Sequence, residues 1–391
     1  MPASAGGSVG APELVATPVA HLLPRKTGSP EADGYDPSDL SWINKLAAIG
    51  DSYSAGIGAG NRLGTILNAF DPKSDWACSR YDHSYPYLIN HDERLGDPKK
   101  RKFQFEFCSG AKSKDVLEKQ IPDIDRGQQV ILLSIGGNYV ELVNILNQCI
   151  YQWAVLTEEQ IDITKAAALK GGYDWAADFD FGHLGRGCQR QLDYTQSLIN
   201  GDKFSQNIDK VLTAAKFKLA KDVTIYMTGY GKFFGEELSP DCDDVSWSTW
   251  FYKALNLFQP QAMLTADNRR RMNEIVNAVN SKLQAAVEQA GPSVKFVNYD
   301  QYIGQLGGRY CEPGVDDSTS ESNTSSPWKR SNGDPLNGTF EGSLDVLAQV
   351  TLLVDPDADL VHEKLVEGKS TAGGIFSEFS SEINKVALGD I

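Results

Sequence analysis

The stretch AAIGDSYSAGIGAG, Ala47–Gly60, decides how the rest of the chain is read. A short apolar run stops at Gly50, and an acid, a serine and a cluster of small residues follow. Such a short apolar run closed by glycine reads as a strand. Three uses of the loop compete: a phosphate cradle, a tight turn, or the display of Ser52 as a nucleophile. A dinucleotide fingerprint needs glycines spaced G-x-G-x-x-G directly after the strand. Gly56 and Gly58 have the first spacing, but Asn61 stands third and the run has already ended at Gly50. The Gly-Lys-Ser/Thr of a phosphate-binding loop is missing here. A sharp strand-to-helix turn that displays a serine is the better reading. Gly50 lets the chain bend, and the small residues behind Ser52 leave room for a substrate.

Four further runs share the strand pattern: KFQFEF (Lys102–Phe107), VILLSIGGN from Val130, VTIYMTGYG from Val223 and VKFVNY from Val294. Between them lie helical patterns. The clearest is ADNRRRMNEIVNAVNSKLQAAVEQAG, where Met272, Ile275, Val276, Val279, Leu283 and Val287 form one apolar face and Gly291-Pro292 marks the stop. Within it, Arg269–Arg271 reads as a solvated basic face. Strands alternating with helices predict an α/β domain with a parallel sheet covered on both faces. Two stretches interrupt the rhythm, 157–191 and 235–260, and are read as loop insertions. Trp175, Trp247, Trp250 and the nearby Trp153 either line a groove there or simply pack the insertions. Residues 1–41, rich in Ala, Gly, Pro and Ser, read as a disordered leader, and 42–391 as one domain with a polar loop over 316–339.

Composition narrows the function classes. The chain has 391 residues, 41% of them apolar, enough for a substantial core. Acids exceed bases by 52 to 37, for a formal charge of −15, which argues against a nucleic-acid partner. No run of about 18 apolar residues is present, so no membrane-spanning segment is expected. Six widely spaced cysteines, Cys78, Cys108, Cys149, Cys188, Cys242 and Cys311, show no metal-ligand spacing. They fit either three disulfides of a secreted protein or buried thiols of a cytosolic one. Two glycosylation triplets, at Asn323 and Asn337, favour secretion.

A serine is a weak nucleophile without a base and without donors for the oxyanion. In a parallel sheet the carboxyl ends of the strands gather on one edge and build the site there. The first run delivers Ser52, the second delivers CSGAKSKDV with the Gly110 N–H, and the third delivers SIGGN with the Asn138 amide. Ser52 N–H, Gly110 N–H and Asn138 together make a complete oxyanion hole.

AAIGDSYSAG, CSGAKSKDV and LLSIGGN resemble, in order, the first three blocks of the SGNH (GDSL-type) hydrolases, in particular the secreted esterase and lipase branch of actinomycetes and fungi. CSRYDHSYPYLI (Cys78–Ile89) and TGYGKFF (Thr228–Phe234) resemble further stretches of that branch. The resemblance spans roughly Ala47 to Cys311. It implies a flavodoxin-like three-layer α/β/α sandwich with a parallel sheet of about five strands. It also implies Ser52 as nucleophile, Gly110 and Asn138 as oxyanion donors, and sequential disulfides Cys78–Cys108, Cys149–Cys188 and Cys242–Cys311. In the family's third block an Asp follows the Asn; here Tyr139 stands there.

The family places its base near the C-terminus as Asp-x-x-His, commonly before Pro. Of five histidines, His21 lies in the leader, His83 and His91 follow the first block, and His183 lies in an insertion. Asp359-Leu360-Val361-His362 reproduces the spacing, with Glu363 in place of Pro. His362 is therefore the expected base and Asp359 its orienting acid, a role that a backbone carbonyl fills in some members. His83 and His183 are the substitutes. The expectation is a secreted, monomeric carboxylic-ester hydrolase for a small-molecule, lipid or carbohydrate ester, needing no metal or cofactor. The alternative is a weakly active or inactive secreted binding protein on the same fold, lacking a placed histidine.

Overall fold

Leu46, Ala47, Ala48 and Ile49 are all fully buried, as a central strand of a two-faced sheet requires. The computed structural model describes residues 39–312, apart from positions 57–58, 69–70, 72, 153–154, 156–160, 163–165, 167–169, 171–180, 239, 247–260, 302–308 and 310. Within that span the five apolar runs form five strands: β1 (Lys45–Gly50), β2 (Lys102–Phe105), β3 (Gln128–Ser134), β4 (Leu219–Thr228) and β5 (Val294–Val297). All neighbours pair in parallel, in the order β2-β1-β3-β4-β5. That is the doubly wound order of flavodoxin-like sheets, in which the strand order reverses between β1 and β3.

The described helices are α1 (Ser52–Ala55), α2 (Tyr85–Asn90), α3 (Ser113–Asp115), α4 (Ile121–Asp123), α5 (Leu142–Ile145), α6 (Cys188–Asn200), α7 (Asp202–Lys216) and α8 (Ala266–Ala290). Side chains alternate across the strands, so the sheet divides two cores. Ala47, Ile49, Ile131, Leu133, Ile225 and Met227 face the larger one, which α5 to α8 complete. Leu46, Ala48, Val130 and Leu132 face the smaller one, covered by Ile43, Leu95, Phe107 and the Tyr85 and Ile89 side chains of α2. The architecture is the expected three-layer sandwich.

The helix expected over the 266–290 region is α8, capped by the Thr265 hydroxyl and ended at Gly291, with its whole predicted apolar face buried. Three disulfides join Cys78–Cys108, Cys149–Cys188 and Cys242–Cys311, the pairing that the resemblance implied. Among the described residues no helix is long and apolar enough to cross a membrane.

Helix α6 begins at Cys188, where the disulfide to Cys149 anchors it. One reading needs correction. The basic run Arg269–Arg271 is not wholly solvated. Arg270 is exposed beside Asp267, and Arg271 bridges to Asp193 on α6 at 2.6 Å, but Arg269 is completely buried. Its guanidinium donates to the Leu264 carbonyl at 2.6 Å and to Asp243 at 3.0 Å, so it ties α8 to the segment around Cys242. Arg269→Ala is expected to destabilise the fold by about 2–5 kcal/mol, the scale for truncating a large buried side chain. Arg270→Ala should leave the urea midpoint unchanged. Equal midpoints for the two variants would contradict the buried tie.

Candidate active site

The turn after β1 is built by groups that sequence inspection does not single out. Gly50 adopts φ +139°, and a Cβ there would overlap the carbonyl of Ser134, its register partner on β3. The buried side-chain amide of Gln120 brackets the same residue, accepting Gly50 N–H at 2.7 Å and donating to the Gly50 carbonyl at 2.9 Å. Asp51 caps the four-residue α1 by accepting Tyr53 N–H at 3.1 Å. Its N–H donates to the Ser134 carbonyl at 3.0 Å. The α1 turn closes at Gly56, φ +69°.

Ser52 is thus the first residue of a helix and sits at the sheet's switch point, where open α/β folds bind ligands. Its N–H belongs to the first helical turn and has no intrahelical acceptor. Among the described residues neither Ser52 N–H nor Gly110 N–H finds an acceptor. Gly110 holds φ +80°, between Ser109, which bonds Cys78, and Ala111, which bonds Cys108. The Cys78–Cys108 disulfide thereby braces the turn.

Asn138 is nearly buried and donates one amide hydrogen to the Ala111 carbonyl at 3.1 Å, which leaves its second hydrogen available. Tyr139 plays no part in that aiming; its ring stacks on Phe204 at 5.9 Å between centroids.

Asp51 is the electrostatic centre of the arrangement. It is 1% exposed, and its carboxylate accepts the Ser134 hydroxyl at 2.7 Å and the Tyr230 hydroxyl. Burial pushes its carboxyl above the usual range, and the hydrogen bonds from Tyr230, Ser134 and Tyr53 N–H pull it back. Ser134 in turn meets Ser54 at 2.6 Å, and Ser54 meets the Tyr85 hydroxyl at 2.9 Å. Burial pushes the Tyr85 phenol up to about 12.

Asp51, Ser52, Gly137 and Asn138 line one cleft together with Tyr53, Leu142, Val143, Leu146, Tyr230 and Phe233. Leu142, Val143 and Leu146 fall at helical spacing from α5 into the π-helical turn that follows it, Leu146–Tyr151. One wall of the cleft is therefore apolar and the opposite end carries the polar turns. Gly110 does not line this cleft; its neighbour Ala111 is bonded to Asn138.

The expected base is not among these residues. His362 and Asp359 lie outside the described residues, as do Asn323, Asn337 and the four insertion tryptophans. His83 is exposed and pairs its Nδ1 with Asp82 at 2.5 Å, which holds the Asp82 carboxyl at about 2. His91 Nδ1 meets the Tyr87 carbonyl at 2.8 Å, and its ring stacks on Tyr87. Neither bonds Ser52.

No family profile matches the chain. It is similar to Lipase 1 of Streptomyces coelicolor, 28% identical over 245 residues that cover 56% of this chain and 82% of that one. A Streptomyces rimosus lipase is 35% identical over 104 residues, 26% of this chain and 33% of the relative. Among solved structures, the phospholipase A1 of Streptomyces albidoflavus NA297 aligns over 66% of this chain and 80% of that one, at 18% identity and a TM-score of 0.44. The extracellular lipase of Streptomyces rimosus aligns over 78% and 98%, at 20% identity and a TM-score of 0.44.

Gln120→Ala would leave the buried Gly50 N–H without its acceptor. We expect a loss of about 1–3 kcal/mol in urea denaturation, the scale for an orphaned buried donor. An unchanged midpoint would show that Gln120 does not hold the turn.

Proposed function

We propose that the chain is a secreted carboxylic-ester hydrolase that works through an acyl-enzyme on Ser52. The observation that carries this reading is the meeting at one switch-point cleft of a helix-start serine, whose N–H finds no acceptor among the described residues, and an amide with a spare hydrogen, its other hydrogen bonded to the residue after Gly110. The similarity to proteins named lipases supports it.

In this mechanism His362, oriented by Asp359, takes the Ser52 hydroxyl proton as Oγ attacks the ester carbonyl. Ser52 N–H, Gly110 N–H and the free Asn138 amide hydrogen hold the resulting oxyanion. The tetrahedral intermediate collapses, and His362 protonates the departing alkoxide. Water, deprotonated by the same histidine, then cleaves the acyl-enzyme and frees the acid.

The apolar wall of Leu142, Val143 and Leu146, closed by Phe233, fits an acyl chain better than a sugar face, so the substrate class is an ester of an apolar acid. Three disulfides in a chain of this size support an oxidising compartment. The inactive-binder reading retains one point in its favour, because neither His83 nor His91 bonds Ser52.

Hydrolysis of p-nitrophenyl esters decides between the two readings. Ser52→Ala and His362→Ala should each lose about 10⁴–10⁶-fold in kcat. Asn138→Ala should lose about 10²–10³-fold in kcat, the effect of one missing oxyanion donor. A Ser52→Ala variant with full turnover would remove the proposal; a wild-type protein without turnover would favour the binder.

A further inference from the structure

Tyr230 lies just beyond β4 and reaches back across the sheet edge to both turns of the cleft. Its hydroxyl donates to Asp51 Oδ2 and accepts Gly137 N–H at 2.7 Å. Asp51 directly precedes Ser52, and Gly137 directly precedes Asn138. One phenolic oxygen therefore ties the serine turn to the amide turn. The hydroxyl has a single hydrogen, and the carboxylate takes it.

The ring's position is over-determined. Asn280 of α8 grips the Tyr230 backbone from both sides, accepting its N–H at 2.8 Å and donating to its carbonyl at 2.8 Å. Gly229 makes room for that grip, since a Cβ there would lie 2.7 Å from Asn280 Oδ1. Gly137 does the same for the ring, because its Cβ would lie 2.9 Å from the phenol carbons. Tyr53 packs edge-on against the ring at 4.6 Å, and Tyr230 is 1% exposed.

We propose that Tyr230 is a positioning residue that fixes the spacing of Ser52 and Asn138 by bridging Asp51 to Gly137. The inference rests on the reading of Ser52 as nucleophile and Asn138 as oxyanion donor. Removing the hydroxyl strips a donor from the buried Asp51 and an acceptor from Gly137 N–H, so the serine turn keeps its bonds to Ser134 on β3 and the Gly137–Asn138 peptide loses its tie to Asp51. The acyl wall of Leu142, Val143, Leu146 and Phe233 is untouched. Loss of spacing therefore lowers kcat and leaves KM alone, the signature of a contact that matters only in the transition state.

The test compares wild type, Tyr230→Phe and Gly137→Ala on a short-chain p-nitrophenyl ester, with sites counted by exhaustive fluorophosphonate titration so that only folded protein enters the rate. Gly137→Ala keeps the tyrosine and displaces its ring. Both variants are expected to lose about 10²-fold in kcat per titrated site, the effect of roughly 1 Å of misplacement, at unchanged KM. Wild-type kcat in Tyr230→Phe overturns the proposal, and so does a raised KM at wild-type kcat, which would make Tyr230 a substrate contact. If Tyr230→Phe yields no folded sites, Gly137→Ala decides by the same two criteria. Ser52→Ala run alongside separates the failures: if it is inert while Tyr230→Phe is normal, only this inference falls; if it turns over, the parent reading falls with it.

Discussion

A carboxylate taken out of water holds this site together. Asp51 stands between the last residue of β1 and the serine; it is joined directly to Ser134 and Tyr230, and through Tyr230 to the Gly137 turn. Desolvating a carboxylate costs several kcal/mol. Three donors face this one: the Tyr53 N–H, the Ser134 hydroxyl and the Tyr230 hydroxyl. Hydrogen bonds to charged groups contribute about 1.5–3 kcal/mol each, so the trio is of the size needed to offset the burial. Losing a donor leaves the charge buried and short of partners, and that asymmetry makes the geometry stiff. The site is specified by what it would cost to disturb it.

The sheet supplies the remaining constraint. Because β1 and β3 are neighbours in parallel register, Gly50 lies against Ser134, and the residues just past each strand emerge side by side. Gly50 admits the close approach, Gln120 brackets its backbone, and Asn138 is aimed by the Ala111 carbonyl. Two asparagines of α8, Asn273 and Asn280, clamp the backbone of Phe234 and Tyr230 after β4. A helix that packs the core with its apolar stripe also sets the post-β4 loop through two amides on nearly the same line.

Much of this was legible in the sequence because it is local. Apolar runs ended by glycine marked the strands, and α8 followed from spacing and a Gly-Pro stop. The positions of Ser52, Gly110 and Asn138 after three successive strands followed from the logic of parallel sheets, and the cysteine pairing came only with the family resemblance. The rest was hidden for a physical reason. Tyr230 and Asp51 are 179 residues apart, and no periodicity links them. Gln120 and Asn280 read as ordinary polar helix residues until the backbone groups they face are known. Arg269 looked solvated because a charge beside two other charges gives no sign of which one turns inward; Asp243 and the Leu264 carbonyl decide that. The histidine was the weakest reading, since four residues of an acidic stretch carry little spatial information, and His362 lies outside the described residues.

The most direct measurement of the central claim is a crystal structure of the protein carrying a phosphonate adduct as a mimic of the tetrahedral intermediate. The expected result is a covalent bond to Ser52 Oγ, with the phosphoryl oxygen about 2.7–3.1 Å from Ser52 N, Gly110 N and Asn138 Nδ2. An adduct on another residue, or a phosphoryl oxygen turned to solvent away from those three nitrogens, would contradict it.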